Sequence, residues 1–270
     1  MKRGSGLAAA ALAVAVAGAA SVAWAAPAEL VSHRAVYRMG LAQSRSGSGM
    51  AGASGTWAYE FADSCDGWTT EYRLAMNYSY SEGGEVQSTT DFLSWESKDG
   101  LKYRFRVRQA RDGQVTEEIE GTAELKGKGQ PGVVRYSRPE PRTVKLPKGT
   151  VFPTEHTARL IDTAATGGHM LVRSVFDGMG EEGPYEISAV IGRNGPGEAA
   201  AAPASPLLAS PAWPMRMAFF PVQSKDALPD FEMSLNYHAN GIADGILQIF
   251  KTFSLRGKLE SVEMLPRKKC

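Results

Sequence analysis

Alternation at period two constrains this chain more than any other feature. From Trp68 to Tyr80 the even positions read Trp68, Thr70, Tyr72, Leu74, Met76, Tyr78 and Tyr80, and the odd positions read Thr69, Glu71, Arg73, Ala75, Asn77 and Ser79. The run from Leu101 repeats the pattern with opposite parity, setting Leu101, Tyr103, Phe105 and Val107 against Lys102, Arg104, Arg106 and Arg108. Tyr185, Ile187, Ala189 and Ile191 alternate with Glu186 and Ser188, and Phe231, Met233, Leu235 and Tyr237 with Glu232, Ser234, Asn236 and His238. A helix turns every 3.6 residues and cannot keep such a pattern on one face, whereas a strand does so automatically. The segments therefore predict strands with one dry and one wet face.

Turn residues separate these runs. Asp99-Gly100 and Asp112-Gly113 are hairpin signals, and Glu82-Gly83-Gly84, Asn240-Gly241 and Arg256-Gly257 read as turns or bulges. The expected fold class is all-β and mainly antiparallel, a large curved sheet of spiral or barrel-like form built from a dozen or more short strands. One amphipathic helix interrupts it at about 155–166, with Thr154 as N-cap, Phe152 as a staple residue, Gly167 as the stop, and Ala158, Leu160, Ile161, Ala164 and Ala165 as its apolar stripe. Gly195 to Pro211, rich in Ala, Pro, Gly and Ser, reads as a flexible surface loop, because strand patterns of the same kind lie on both sides.

The amino terminus sets the expected compartment. Lys2 and Arg3 precede an uncharged Ala/Val/Leu/Gly run from Leu7 to Ala20, followed by Ala23-Trp24-Ala25, a small-x-small cleavage pattern. Residues 1–25 are expected to be a signal peptide and 26–270 a single domain. The run is short and Ala-rich for a permanent span, which needs roughly 20 strongly apolar residues, and no other segment suits one. Export gives meaning to the two cysteines, Cys65 and Cys270. In an oxidising compartment they are expected to pair, closing a loop of 205 residues; two unpaired thiols are the other reading.

Composition removes several function classes. With 43% hydrophobic and 22% charged residues the chain is globular rather than disordered. Its net charge of +1 gives no support to nucleic-acid binding. Gly47-Ser48-Gly49-Met50-Ala51-Gly52 and Gly127-Lys128-Gly129-Gln130-Pro131-Gly132 match a dinucleotide glycine pattern, but neither follows a strand and opens a helix, so flexible loops explain them better. His33, His156, His169 and His238 lack metal-pair spacing, and His156 reads as an exposed polar residue in the first turn of the helix. No Gly-x-Ser-x-Gly elbow is present. No catalytic group, cofactor site or metal site is expected. Lys102, Arg104, Arg106 and Arg108 form a basic stripe that can hold an anion or an acidic partner face. Alternatively it is the wet side of one strand, paired across a hairpin with Glu117, Glu118 and Glu120. Tyr72, Met76, Tyr78, Phe105, Met215, Met217 and Phe219 either fill a core or line a cavity.

Several motifs carry a family resemblance. His33-Arg34-Ala35-Val36-Tyr37, Gly52-Ala53-Ser54-Gly55, Tyr59-Glu60-Phe61 and Cys65-Asp66-Gly67-Trp68-Thr69 resemble the cell-envelope integrity EipB family of alphaproteobacteria. So do Gly149-Thr150-Val151-Phe152-Pro153-Thr154-Glu155-His156-Thr157, Val175-Phe176-Asp177-Gly178 and Cys270. The resemblance implies a periplasmic β-spiral with one disulfide, which maps here to Cys65 and Cys270. It also implies a non-enzymatic role in envelope integrity through protein interaction, with a tetratricopeptide-repeat protein as a candidate partner. The loop at 195–211 is longer than the family leads one to expect. Two rivals remain: a periplasmic carrier that hides a lipid or other apolar ligand inside the curved sheet, with the helix as lid, and an enzyme acting on an envelope polymer.

Overall fold

The computed structural model describes residues 28–181, 183–195, 203–224, 226–266 and 269–270. The expected signal peptide lies outside the described residues, as does the 196–202 part of the expected loop. In chain order the strands are β1 (His33–Ser44), β2 (Met50–Asp63), β3 (Gly67–Tyr80), β4 (Glu85–Ser97), β5 (Lys102–Arg111), β6 (Gln114–Leu125), β7 (Gly132–Arg138) and β8 (Arg142–Leu146). After helix α1 (Pro153–Ala165) come β9 (Met170–Val175), β10 (Tyr185–Ile191), β11 (Ala212–Pro221), β12 (Phe231–His238), β13 (Ala243–Ile249) and β14 (Phe253–Met264). All 14 strands join one sheet in the order β8-β7-β6-β5-β4-β3-β2-β1-β14-β13-β12-β11-β10-β9. Every pairing between these strands is antiparallel.

Both ends of this sheet come from the middle of the chain. β8 and β9 are the two edge strands, and α1 connects them. Val151, on the way from β8 to the helix, forms a parallel bridge to Val175 of β9. Its amide donates to Ser174 O at 2.9 Å, and the Phe176 amide returns a bond to Val151 O at 3.0 Å. The sheet is thus open in its ladder, while the connecting segment ties one edge to the other.

Local sequence explains the hairpins. Asp112 and Gly113 both sit at positive φ, 50° and 78°, as a two-residue turn with the twist of its flanking strands requires. The two glycine-rich runs prove to be hairpin turns, one between β1 and β2 and one between β6 and β7. Arg256-Gly257 is not a turn or a bulge. Gly257 lies inside β14, level with Met39 on one side and Ile246 on the other, and a Cβ there would stand 2.8 Å from Met39 Sδ. The glycine serves close packing, which local turn chemistry does not distinguish from punctuation.

The helix starts two residues earlier than expected, and not on Thr154. Phe152 is the N-cap, Pro153 takes the first helical position, and no side chain of the local segment caps the turn. The cap comes from β4 instead: the carboxylate of Glu96 accepts from the Thr154 amide at 2.7 Å and the Glu155 amide at 2.9 Å. This satisfies two of the four amides a helix leaves open and sets an acidic group at its positive end. Burial dominates the ionisation of Glu96 and pushes it up to about 7 against those two bonds. His156 is buried rather than exposed, beside Leu160, Ile161 and Ala164, while Ala158 is only half-buried and Ala165 faces out. The buried face is therefore rotated toward His156. Burial, then the charges of Arg173 and Arg159, hold His156 down to about 4. Gly167, at φ 81°, follows the last turn as expected.

Cys65 and Cys270 are bonded, with Cα atoms 5.7 Å apart. The bond ties the end of the chain to the β2–β3 turn across β1, which lies between β2 and β14. Residues 203–211 are held rather than free. They carry a 3-10 turn at Pro206–Leu208, Asn240 Nδ2 donates to Leu207 O at 2.7 Å, and Leu208 packs on the central core.

Two predictions follow from these contacts. Cys65→Ser should lower unfolding free energy by roughly 2–5 kcal/mol, the range for a native bridge closing a long loop. Equal melting temperatures with and without reductant would show that the bond does not stabilise the fold. Glu96→Gln should cost about 1 kcal/mol at pH 5, read as a drop of about 2–4 °C in Tm. Glu96 is raised above its ordinary 4.5, so its contribution is full below that value and is lost as pH rises through about 7. His156 is lowered from 6.5, so its contribution is full above 6.5 and lost as pH falls through about 4. The difference between wild type and Glu96→Gln should therefore shrink from pH 4.5 to 8, while the variant itself gains stability from pH 4.5 to 6.5. A gap that stays constant with pH would contradict the placement of Glu96.

Candidate functional site

The dry face of the curled sheet is not completely filled. A hollow of about 400 Å³ lies where β2, β3 and β4 face β11 and β12, with the first turn of α1 and the segment after β9 completing its wall. Trp57, Tyr59, Phe61, Tyr72, Leu74 and Phe92 line it from one side, Phe219, Phe231, Met233 and Tyr237 from the other, and Pro153, Thr154 and Thr157 from the helix. These are inward positions of alternating strands, so the pattern that builds the core also builds the wall. The rings pack in pairs: Trp57 meets Tyr72 edge to face at 5.5 Å, Tyr72 stacks on Phe92 at 4.9 Å, and Phe219 stacks on Phe231 at 4.2 Å. Of the residues expected either to fill a core or to line a cavity, Tyr72 and Phe219 line the hollow, whereas Met76, Phe105, Met215 and Met217 are buried in the three core clusters. Tyr78 packs beside Met76 and against Phe253.

Burial controls the electrostatics here. Tyr59, Tyr72 and Tyr237 keep part of their surface uncovered, yet burial raises all three phenols. All three line the hollow. Among the described residues the wall carries one carboxyl, that of Asp177, and no Lys, Arg or His. Burial raises Asp177 against the hydrogen bonds of its backbone turn, which include Met179 N to Oδ1 at 3.0 Å. This turn is fixed from below. Tyr103 Oη donates to Asp177 O at 2.9 Å, Tyr136 Oη donates to Gly180 O at 3.1 Å, and Gly178 sits at φ 74° with Phe105 so near that a Cβ would stand 2.5 Å from its ring. Phe176 is buried among Tyr103, Phe105 and Tyr136. A rigid aromatic base thus holds one carboxyl against an apolar space, an arrangement suited to binding.

The basic stripe lies on the outer face, among acids. Lys102, Arg106 and Arg108 stand opposite Glu124, Glu120 and Glu118 of β6, and Arg104 lies over the Trp95 ring at 4.6 Å. Arg108 pairs with Glu118 at 3.7 Å, and Arg138 of β7 comes within 3.9 Å of Glu120. Glu117 bonds Gln109 instead of an arginine. Rows of opposite charge on neighbouring strands make this a striped surface rather than a basic patch.

A second outer feature was not legible in the sequence. Met170 of β9 and Val190 of β10 are directly opposed in register and are 63% and 56% exposed; Val172, two pairs along on the same face, is 41% exposed. Three apolar side chains therefore share the wet face at the edge of the sheet. Periodicity alone misses them, because they meet only through the β9–β10 pairing.

Two other groups of buried polar residues take structural places. His238 Nε2 lies 3.0 Å from Asp244 Oδ2, which also accepts from Asn236 Nδ2 at 2.8 Å, where residues 203–211 pack. His33 Nδ1 bonds Val31 O at 2.9 Å. Among the described residues no three His, Cys, Asp or Glu side chains are grouped so as to hold a metal, and no helix is long and apolar enough to cross a membrane.

Comparison with known proteins agrees with this architecture. The EipB-like family profile matches residues 24–266. A curated relative, the cell envelope integrity protein EipB of Brucella abortus (strain 2308), is 31% identical over 257 residues, covering 92% of this chain and 88% of its own length. A crystal structure from Brucella abortus, described as a beta-barrel-like protein of Domain of Unknown Function DUF1849, superimposes with a TM-score of 0.81 at 28% identity, over 88% of this chain and all of the other. With the single antiparallel sheet and its aromatic hollow already in view, a match over nearly the whole chain places it in the EipB-like family.

Proposed function

We propose that this chain supports cell-envelope integrity from the periplasm as a non-enzymatic protein that docks onto another envelope protein, with a tetratricopeptide-repeat protein as the partner class. Family membership supports the envelope role. The observation that carries the interaction is the exposed cluster of Met170, Val172 and Val190 at the sheet edge. Contiguous apolar side chains on a wet face mark contact surfaces more often than scattered ones do. The disulfide and the bridged edges present that face on a rigid frame, which lowers the ordering cost of binding. The interleaved charges around Arg104, Arg106 and Arg108 can orient a partner without attracting nucleic acid.

The hollow supports a second reading, that of a carrier for an apolar ligand. Its size and its aromatic lining fall within the range of small-molecule sites. The two readings are compatible, since the hollow faces inward and the apolar cluster outward.

Deleting the gene should sensitise cells to detergent and to cell-wall antibiotics; unchanged survival under every challenge would remove the integrity role. Re-expression of the full chain should restore resistance, whereas a version lacking residues 1–25 should not. Restoration by that truncated version would contradict a periplasmic site of action. The double variant Met170→Lys, Val190→Lys should fold with Tm within about 1–2 °C of wild type, as exposed positions allow, and yet fail to complement. Full complementation would show that the partner docks elsewhere.

A further inference from the structure

We propose that the hollow takes a cationic amphiphile, with its alkyl tail among the rings and its ammonium head at Asp177. The proposal rests on the carrier reading and gives its ligand a charge. The wall offers an acyl-sized apolar space of about 400 Å³, but it also holds one carboxyl and, among the described residues, no cation. An anionic head entering this space would meet Asp177 with nothing to balance either charge, an arrangement that burial makes costly. A neutral chain would leave the carboxyl with its Met179 amide bond but no counter-charge in an apolar site, which is also unfavourable. An ammonium group resolves both, and the rings add to it. Tyr72 stands edge-on to Trp57 and stacked on Phe92, and its Oη donates to Met179 Sδ at 2.9 Å, so this ring cluster reaches the turn that carries the carboxyl. Aromatic rings attract alkylammonium groups, more strongly when water is excluded. The phenols stay neutral, so they do not supply a competing charge.

The position of Asp177 fits the assignment. Its backbone is fixed by Tyr103 and by the Gly178 approach to Phe105, so the carboxyl does not have to be ordered when ligand arrives. On the outer face Asp91 lies beside Arg73 and Glu60 beside Arg34, whereas Asp177 lines the aromatic hollow.

The test is calorimetric titration of the chain lacking residues 1–25 with decyltrimethylammonium and decanoate, each below its micellar concentration, and with decanol below its solubility limit. The cation should bind tightest, about tenfold or more over decanoate. Asp177→Asn, which still offers an oxygen to the Met179 amide, should abolish that preference and keep the binding of decanol. Met233→Trp, which fills the hollow, should weaken all three ligands. Decanoate binding as well as the cation, or a preference that survives in Asp177→Asn, would overturn the charge assignment and leave the carrier reading standing. Failure of all three ligands to bind wild type would overturn both. Cation binding that persists undiminished in a folded Met233→Trp protein would place it outside the hollow and overturn the proposal.

Discussion

A sheet with one apolar face and no second sheet to cover it has to curl over that face or leave it in water. The described residues supply 14 strands of that kind and one α-helix, so the architecture follows from the curl and from how the two edges are managed. β8 and β9 end the sheet on opposite sides, and unpaired edges invite pairing with other chains. Here the short crossing from β8 to α1 brings Val151 onto β9 and buries Phe152 against Tyr103. The Asp177 turn closes from the other side, where Arg142 of β8 pairs with Glu181 at 3.2 Å. Two segments of chain, one after each edge strand, thus tie the edges and draw the two halves of the dry face together.

The hollow is a consequence of that geometry. Two halves of one face, each carrying rings on alternate positions, pack together in the clusters beneath α1, around Phe176 and around Met39. Between them the aromatic rings touch their neighbours on the same side and leave space across. Glu96 is the link between this space and the helix. It belongs to the strand next to β5, it caps α1, and the helix turn it fixes is part of the wall. Support for the site is therefore carried by residues that do not line it.

Much of this was legible in the residues. Trp68 to Tyr80 and Leu101 to Arg108 declare strands and their dry faces, because side-chain direction alternates without regard to the rest of the fold. Asp99-Gly100 and Asp112-Gly113 declare their hairpins, and the expectation of export gives Cys65 and Cys270 a reason to meet. What could not be read depended on distance in sequence. The cap on Thr154 comes from Glu96, 58 residues earlier. His156 looked like a wet residue because its type is polar, but the helix face turned toward the sheet is set by tertiary packing. Gly257 looked like a turn because its role, room for Met39, belongs to another strand. Alternation tells which face is dry and does not tell whether it is filled, so the hollow and the Met170–Val190 pair appear only once register is known.

One sheet is drawn together through the Val151 bridge. Amide hydrogen exchange measures this directly, because the Val151 and Phe176 amides make the two bonds that cross between the connecting segment and β9. Both should exchange as slowly as amides in the centrally placed β1 and β14, opening only with the whole domain. Exchange at the rate of surface turns such as Asp112-Gly113, while β1 and β14 remain protected, would show that the edges are not held together and that the hollow lacks the wall described.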